Sequence, residues 1–156
     1  MEDMTLFKDE YVFFDVDINT KNEALKFISH KAFELGLTDN ESGLLSDFLK
    51  REEEFSTGLQ DGFAIPHAKS DFAKQIAILY VRAKDSVSEW ETLDDTKVTD
   101  LFALIVPKEN AGNEHLLMIS KLATSLLDDD FKLKVKTSTE KAKLAEYISK
   151  IIKEDM

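Results

Sequence analysis

An α/β fold is what this sequence predicts: three layers, with helices on both faces of one mixed sheet of four to five strands. Three observations carry the prediction. Residues 76–82 and 101–106 are near-continuous apolar runs, the pattern of strands covered on both faces. Apolar residues recur at helical spacing before and after that central block. The resulting order of strand, two helices, three strands and further helices supplies helices for either side of a single sheet.

The elements follow in order. Residues 11–16, aromatic and β-branched between charged flanks, form the first strand. Thr20 and Glu23 make a capping box for a helix whose stripe is Leu25, Ile28, Ala32 and Leu35, and Gly36 stops it. A second helix starts near Asp39 or Asn40, buries Leu44, Phe48 and Phe55, and ends before Ser56-Thr57-Gly58. Strands at 63–66, 76–82 and 101–106 come next, with the polar segment 83–99, which holds Trp90, as a long loop or an irregular edge. A helix over 113–127 presents Leu116, Leu117, Ser120, Ala123 and Leu127. Asp128-Asp129-Asp130 caps a short helix, and a last helix over 139–153 buries Leu144, Tyr147, Ile148 and Ile151.

The 156 residues fit one domain, 1–156, without linker or repeat. A formal charge of −11 repels polyanions, so nucleic acid and anionic membrane are poor partners. The absence of cysteine excludes disulfides, thiolate metal sites and cysteine nucleophiles. No apolar run is long enough to span a bilayer and the start of the chain lacks signal-peptide character, so a cytoplasmic protein is expected.

Chemistry gathers around the histidines. Pro66 stiffens the turn that presents His67, and Ser56, Thr57 and Gly58 upstream can offer hydroxyls and backbone N–H groups to an anion. His67 is then either a functional imidazole or a structural one in a turn. His115 opens a helix, where the dipole favours the neutral ring and a phosphoryl oxygen can sit, or it simply covers Ile119 and Leu122. Arg51, one of two arginines, stands on the apolar stripe of its helix. It either points a planar cation at the Ser56-Thr57 turn, where a phosphate would sit, or snorkels to pair with Glu52, Glu53 or Glu54. Lys69 and Ser70 are weaker candidates. His30, two residues beyond Ile28 and so about 200° around the helix, faces solvent without a role.

The run Arg51-Glu52-Glu53, then Ser56-Thr57-Gly58, then Gly62-Phe63-Ala64-Ile65-Pro66-His67-Ala68-Lys69 closely resembles the active-site segment of one family. These are the fructose/mannitol-type enzyme IIA domains of the bacterial phosphoenolpyruvate-dependent sugar phosphotransferase system. The similarity continues through Trp90, Val106-Pro107 and Glu114-His115-Leu116. The resemblance implies a phosphorylated histidine at His67, a second active-site histidine at His115 and an active-site arginine at Arg51. Two positions depart from the family pattern: Gln60 replaces a common glycine, and Asp94-Asp95 stands where Asp-Gly is usual.

The resemblance further implies a phosphoryl relay. Neutral His67 would take the group from phosphohistidine on the carrier protein HPr and pass it to a cysteine of an enzyme IIB partner, and through it to sugar uptake by the membrane enzyme IIC. Arg51, Ser56, Thr57, His115 and the helix start are donors suited to the equatorial oxygens. Neither metal nor nucleotide cofactor is called for. The alternative is a nitrogen-type regulatory IIA protein, which keeps the histidine but acts by binding other proteins. A histidine-dependent hydrolase or metal site is a third class, for which a motif such as His-Glu-x-x-His is missing.

Overall fold

The computed structural model describes the backbone of residues 7–110 and 113–154 and the side chains of 7–109 and 116–152. The chain runs β1 (Val12–Val16), α1 (Lys21–Glu34), α2 (Glu41–Glu54), β2 (Phe63–Ala64), β3 (His67–Ser70), β4 (Ala77–Val87), β5 (Val98–Pro107), α3 (Asn113–Ser125), α4 (Asp129–Thr137) and α5 (Lys141–Glu154). Five strands form one mixed sheet in the order β1-β4-β5-β2, with β3 also on β5. β1 is parallel to β4, β4 antiparallel to β5, and both β2 and β3 lie parallel to β5.

The α/β/α architecture follows from which side chains each strand sends to either face. Tyr80 and Phe102 are cross-strand partners, and Phe102 stacks on Phe131 of α4, which stacks on Tyr147 of α5. On the opposite face Phe13 of β1 meets Phe27 of α1 edge to face. The runs read as doubly covered are so: Ile78 to Val81 and Leu101 to Ile105 are entirely buried, removing both strand faces from water. Helix starts obey capping chemistry. The Thr20 hydroxyl accepts Glu23 N–H at 3.2 Å, while Glu23 reaches back to Asn19 N–H at 2.8 Å. Asn40 caps α2 through Gly43 N–H at 2.9 Å.

Four expectations need correction. The long loop or irregular edge expected over 83–99 is a shorter loop between strand ends, because β4 continues to Val87 and β5 begins at Val98, the two pairing with each other beyond a register shift. The strand at 63–66 is interrupted: β2 stops at Ala64, and β3 resumes at His67, which pairs with Leu104. Pro66 lacks an N–H for the ladder but still accepts Leu104 N–H at 2.9 Å, so His67 stands at a strand start rather than in a turn. Phe55 is 75% exposed, since α2 ends at Glu54 and the backbone turns extended at the next residue. The buried line of α3 is Met118, Leu122 and, just beyond the helix, Leu126, whereas Leu116, Leu117 and Leu127 are exposed. A helical phase error of this kind arises where apolar residues populate two adjacent lines.

Candidate active site

The last turn of α2 faces the start of β3. Arg51 Nε–H donates to His67 Nε2 at 3.0 Å, and Arg51 Nη1 donates to the Phe55 carbonyl at 2.8 Å. His67 Nδ1 lies 2.9 Å from the Ile65 carbonyl. A carbonyl only accepts, so Nδ1 carries the proton and Nε2 the lone pair. Among the described residues, then, Arg51 is no surface partner of the neighbouring glutamates. It bonds the imidazole and also holds the carbonyl at the C-cap of its own helix.

His67 opens on a cavity of about 440 Å³. One wall is a polar line of α2, Asp47, Lys50, Arg51 and Glu54, whose spacing puts them on one helix face. Lys69 and Lys108 close another side, and Leu116 and Ile119 of α3 give an apolar one. Four cations therefore meet two carboxylates in a chain of net charge −11, a local reversal of field that favours an anion. Asp47 accepts the Ser70 hydroxyl at 2.5 Å, and Asp71 lies 3.8 Å from Lys108. The α2 line is legible in the sequence as a polar i, i+3, i+4, i+7 set that includes Arg51.

The Ser56-Thr57-Gly58 donors are engaged within the protein. Ser56 donates its hydroxyl to the Glu91 carbonyl at 2.6 Å and accepts Gly58 N–H at 3.2 Å. The Thr57 hydroxyl and N–H both go to the Glu52 carboxylate, the latter at 3.2 Å. A Cβ on Gly58 would lie 2.1 Å from the Glu91 carbonyl oxygen, so only glycine lets the two backbones pass. Burial raises the pKa of Glu52, against the two Thr57 bonds that lower it. Ser70 is buried, and Lys69 is exposed beside the cavity. His30 is half-exposed between Glu34 and Glu41, as its helical position requires. His115 belongs to the first turn of α3, and its side chain lies outside the described residues. Among the described residues no cluster of three or more acidic or histidine side chains could hold a metal, and no helix is long and apolar enough to cross a membrane.

Comparison with known proteins matches residues 5–151 to the family described as phosphoenolpyruvate-dependent sugar phosphotransferase system, EIIA 2. The chain belongs to this family. It is thus a phosphotransferase component of EIIA type. It is 29% identical over 133 residues to a fructose-specific EIIA component of Haloferax volcanii, covering 85% of each chain. The structure of nitrogen regulatory protein IIA-Ntr from Neisseria meningitidis superposes with a TM-score of 0.80 at 26% identity, over 94% of this chain and 96% of that one. The mannitol enzyme IIA of Escherichia coli, solved with phosphorylated mannitol enzyme IIB, shares the fold at a TM-score of 0.71 and 18% identity, over 92% and 94% of the two chains. Some relatives are much longer, and the match to this EIIA chain spans 13% to 18% of their length.

Proposed function

We propose that His67 accepts a phosphoryl group on Nε2 from phosphohistidine of HPr and passes it to a cysteine of an enzyme IIB, residues 1–156 working as one cytoplasmic domain in sugar uptake. The observation that carries this reading is the pair of bonds on the imidazole. With the Nδ1 proton held by the Ile65 carbonyl, the lone pair lies on Nε2, beside the Arg51 guanidinium and the cavity. A nucleophile fixed in one tautomer meets the phosphorus without first rearranging. As the Nε2–P bond forms and the donor's N–P bond breaks, the Nδ1–H···O=C bond steadies the growing charge on the ring. Arg51, released from Nε2, turns to the equatorial oxygens, with Lys50, Lys69 and Lys108 adding positive potential.

His115, on the same α3 whose Leu116 and Ile119 line the cavity, is proposed as the second histidine on the strength of the sequence resemblance. Ser56, Thr57 and Gly58 take a different part from the one expected of them. Their hydroxyls and the Thr57 and Gly58 amides are engaged, so they shape the turn rather than hold the phosphoryl group. The partner assignment draws on the mannitol enzyme IIA captured with its IIB. The likeness to the Neisseria regulatory protein favours a second reading, in which the phosphorylated and free forms bind different regulatory targets.

Incubation of the chain with phosphoenolpyruvate, enzyme I, HPr and candidate IIB proteins tests both. Mass spectrometry should find one added HPO₃ on the wild type, none on His67→Ala, and onward transfer to a IIB. An adduct that persists in His67→Ala would overturn the assignment. Acceptance without transfer to any IIB would favour the regulatory reading.

A further inference from the structure

Glu52, Glu53 and Glu54 are consecutive, yet the latter two are solvated while Glu52 keeps only 6% of its surface exposed. A carboxylate is taken out of water at considerable cost unless donors meet it. Here both oxygens are met by one residue: Thr57 donates its N–H to Oε1 and its hydroxyl to Oε2. The connection continues. Thr57 C=O accepts Ile65 N–H at 3.0 Å, and Ile65 C=O is the acceptor of His67 Nδ1–H at 2.9 Å. An antiparallel bridge between Gly58 and Ala64 locks the two segments together, and the Glu91 carbonyl against Gly58 limits movement on the far side.

From this geometry we infer that Glu52 is the positioning residue for the Nδ1 side of His67, acting through Thr57 and Ile65. The inference rests on His67 being the phosphoryl acceptor. Arg51 and Glu52, neighbours in the last turn of α2, then hold the two nitrogens of one imidazole, Arg51 directly at Nε2 and Glu52 at one remove from Nδ1. The action is mechanical rather than electronic, because the Thr57 N–H and C=O belong to different peptide units and polarisation does not pass along one amide. Glu52 fixes where the Ile65 carbonyl stands, and that carbonyl selects the Nδ1–H tautomer and the ring orientation. Without it the ring can rotate or exchange tautomers, and the lone pair no longer stays on Nε2.

The test uses the full chain as Glu52→Gln, Thr57→Val and Thr57→Ser. Gln cannot accept from both Thr57 donors at once, Val keeps the shape without the hydroxyl, and Ser restores the hydroxyl. Two observables are read on each: the rate of phosphoryl acceptance from phospho-HPr, and the ¹⁵N NMR signals of the His67 ring, which distinguish a protonated from a lone-pair nitrogen. Glu52→Gln and Thr57→Val should slow acceptance by ~10–100-fold, the range for loss of a supporting hydrogen bond behind a reacting group, and turn a single tautomer into a mixture. Thr57→Ser should return both to wild-type behaviour. If Glu52→Gln fails to fold, Thr57→Val decides. Variants that melt earlier but keep the wild-type tautomer and rate would show that Glu52 serves the fold alone. A wild type that takes no phosphoryl group would refute the proposed function while leaving the NMR comparison to decide the role of Glu52.

Discussion

Both arginines of the chain are half-buried, and each holds at least one carbonyl at the C-terminal end of a helix, yet the two regions finish differently. Arg82 donates Nη1 to Ser138 C=O at 2.9 Å and Nη2 to Val135 C=O at 2.6 Å, closing the end of α4, while its Cζ lies 4.3 Å from the Phe14 ring centre. Its Nε–H goes to the Tyr80 hydroxyl at 3.1 Å, which in turn donates to Asp100. Asp100, 2% exposed, is further bonded by Thr99 at 2.6 Å and Lys136 at 2.9 Å. Burial and the Asp100 charge push the Tyr80 phenol far up, so it stays protonated. Arg51 also closes a helix end, at Phe55, but its Nε–H ends on an imidazole lone pair beside an open cavity. Half-buried charge is common to both regions. What separates a brace from a reactive site is whether the chain of bonds ends on a group able to form a new bond, with room for the reactant.

The sharpest way to break the comparison is to remove each arginine in turn. Arg51→Met should slow phosphoryl acceptance by ~10²–10³-fold, the usual cost of one good transition-state donor, with little change in Tm. Arg82→Met should do the reverse. It leaves Asp100 short of a neighbouring cation and two helix-end carbonyls unmet, at ~2–4 kcal/mol of stability, while transfer per folded molecule stays at the wild-type rate. Calorimetry beside single-turnover transfer reads both quantities. If the two variants moved the same quantity, the distinction between brace and site would fail.

The same contrast explains what the sequence could reveal. Continuous apolar runs made β4 and β5 legible, and Thr20 with Glu23 made the start of α1 legible, because those signals lie within a few residues. Arg51 was legible as an anomaly on an apolar stripe, and His67 as an imidazole behind a proline. The partners that decide their roles are distant. Glu91, which engages Ser56, lies 35 residues away, so a hydroxyl next to a glycine looked available for an anion when it is already bonded. Arg82 and Asp100 carry no distinguishing local signal, since each borders an apolar run where a charge ordinarily marks a strand end, and only the β4-β5 register places them side by side. The extension of β4 to Val87 was hidden because its polar residues alternate with few buried ones.

Two carboxylates sharpen the comparison through pH, with opposite signs. Glu52, beside the site, has its pKa raised in the fold, chiefly by burial. Its contribution is fully present below its unfolded pKa and is lost as pH rises through the folded one. The Tm of wild type minus that of Glu52→Gln should therefore be more favourable to wild type near pH 4 than at pH 7. Asp94, fully exposed, is held down to about 2, first by the Thr96 hydroxyl and next by Asp61 N–H. Its contribution is present above the ordinary aspartate value and is lost as pH falls through about 2. Asp94→Asn should accordingly lower Tm at neutral pH and converge on wild type in strong acid. Thermal melts across pH check both, and parallel profiles for the three proteins would contradict them.

The smallest effect is expected at Asp95, in the connection that touches both regions. The Glu91 carbonyl of that connection receives Ser56 on the Arg51 side, while Asp94 holds Asp61, whose carboxylate pairs with Lys132 of α4 on the Arg82 side. Asp95 has φ of 63°, in the left-handed region that favours glycine. Aspartate tolerates that conformation better than most residues but still bears a Cβ penalty that glycine escapes. Glycine, in return, has more freedom to lose from the unfolded chain, so the two terms nearly offset and Asp95→Gly should gain only ~0.5 kcal/mol, or ~1–2 °C in Tm. Phosphoryl transfer should not change, because both Arg51 bonds and the Glu52-Thr57 contact lie outside this turn. A gain in Tm with unaltered transfer would show that the site's geometry is set by α2 and β3 rather than by general rigidity. A fall in transfer would instead mean that the connection carries strain to Ser56 and that the two regions are coupled through it.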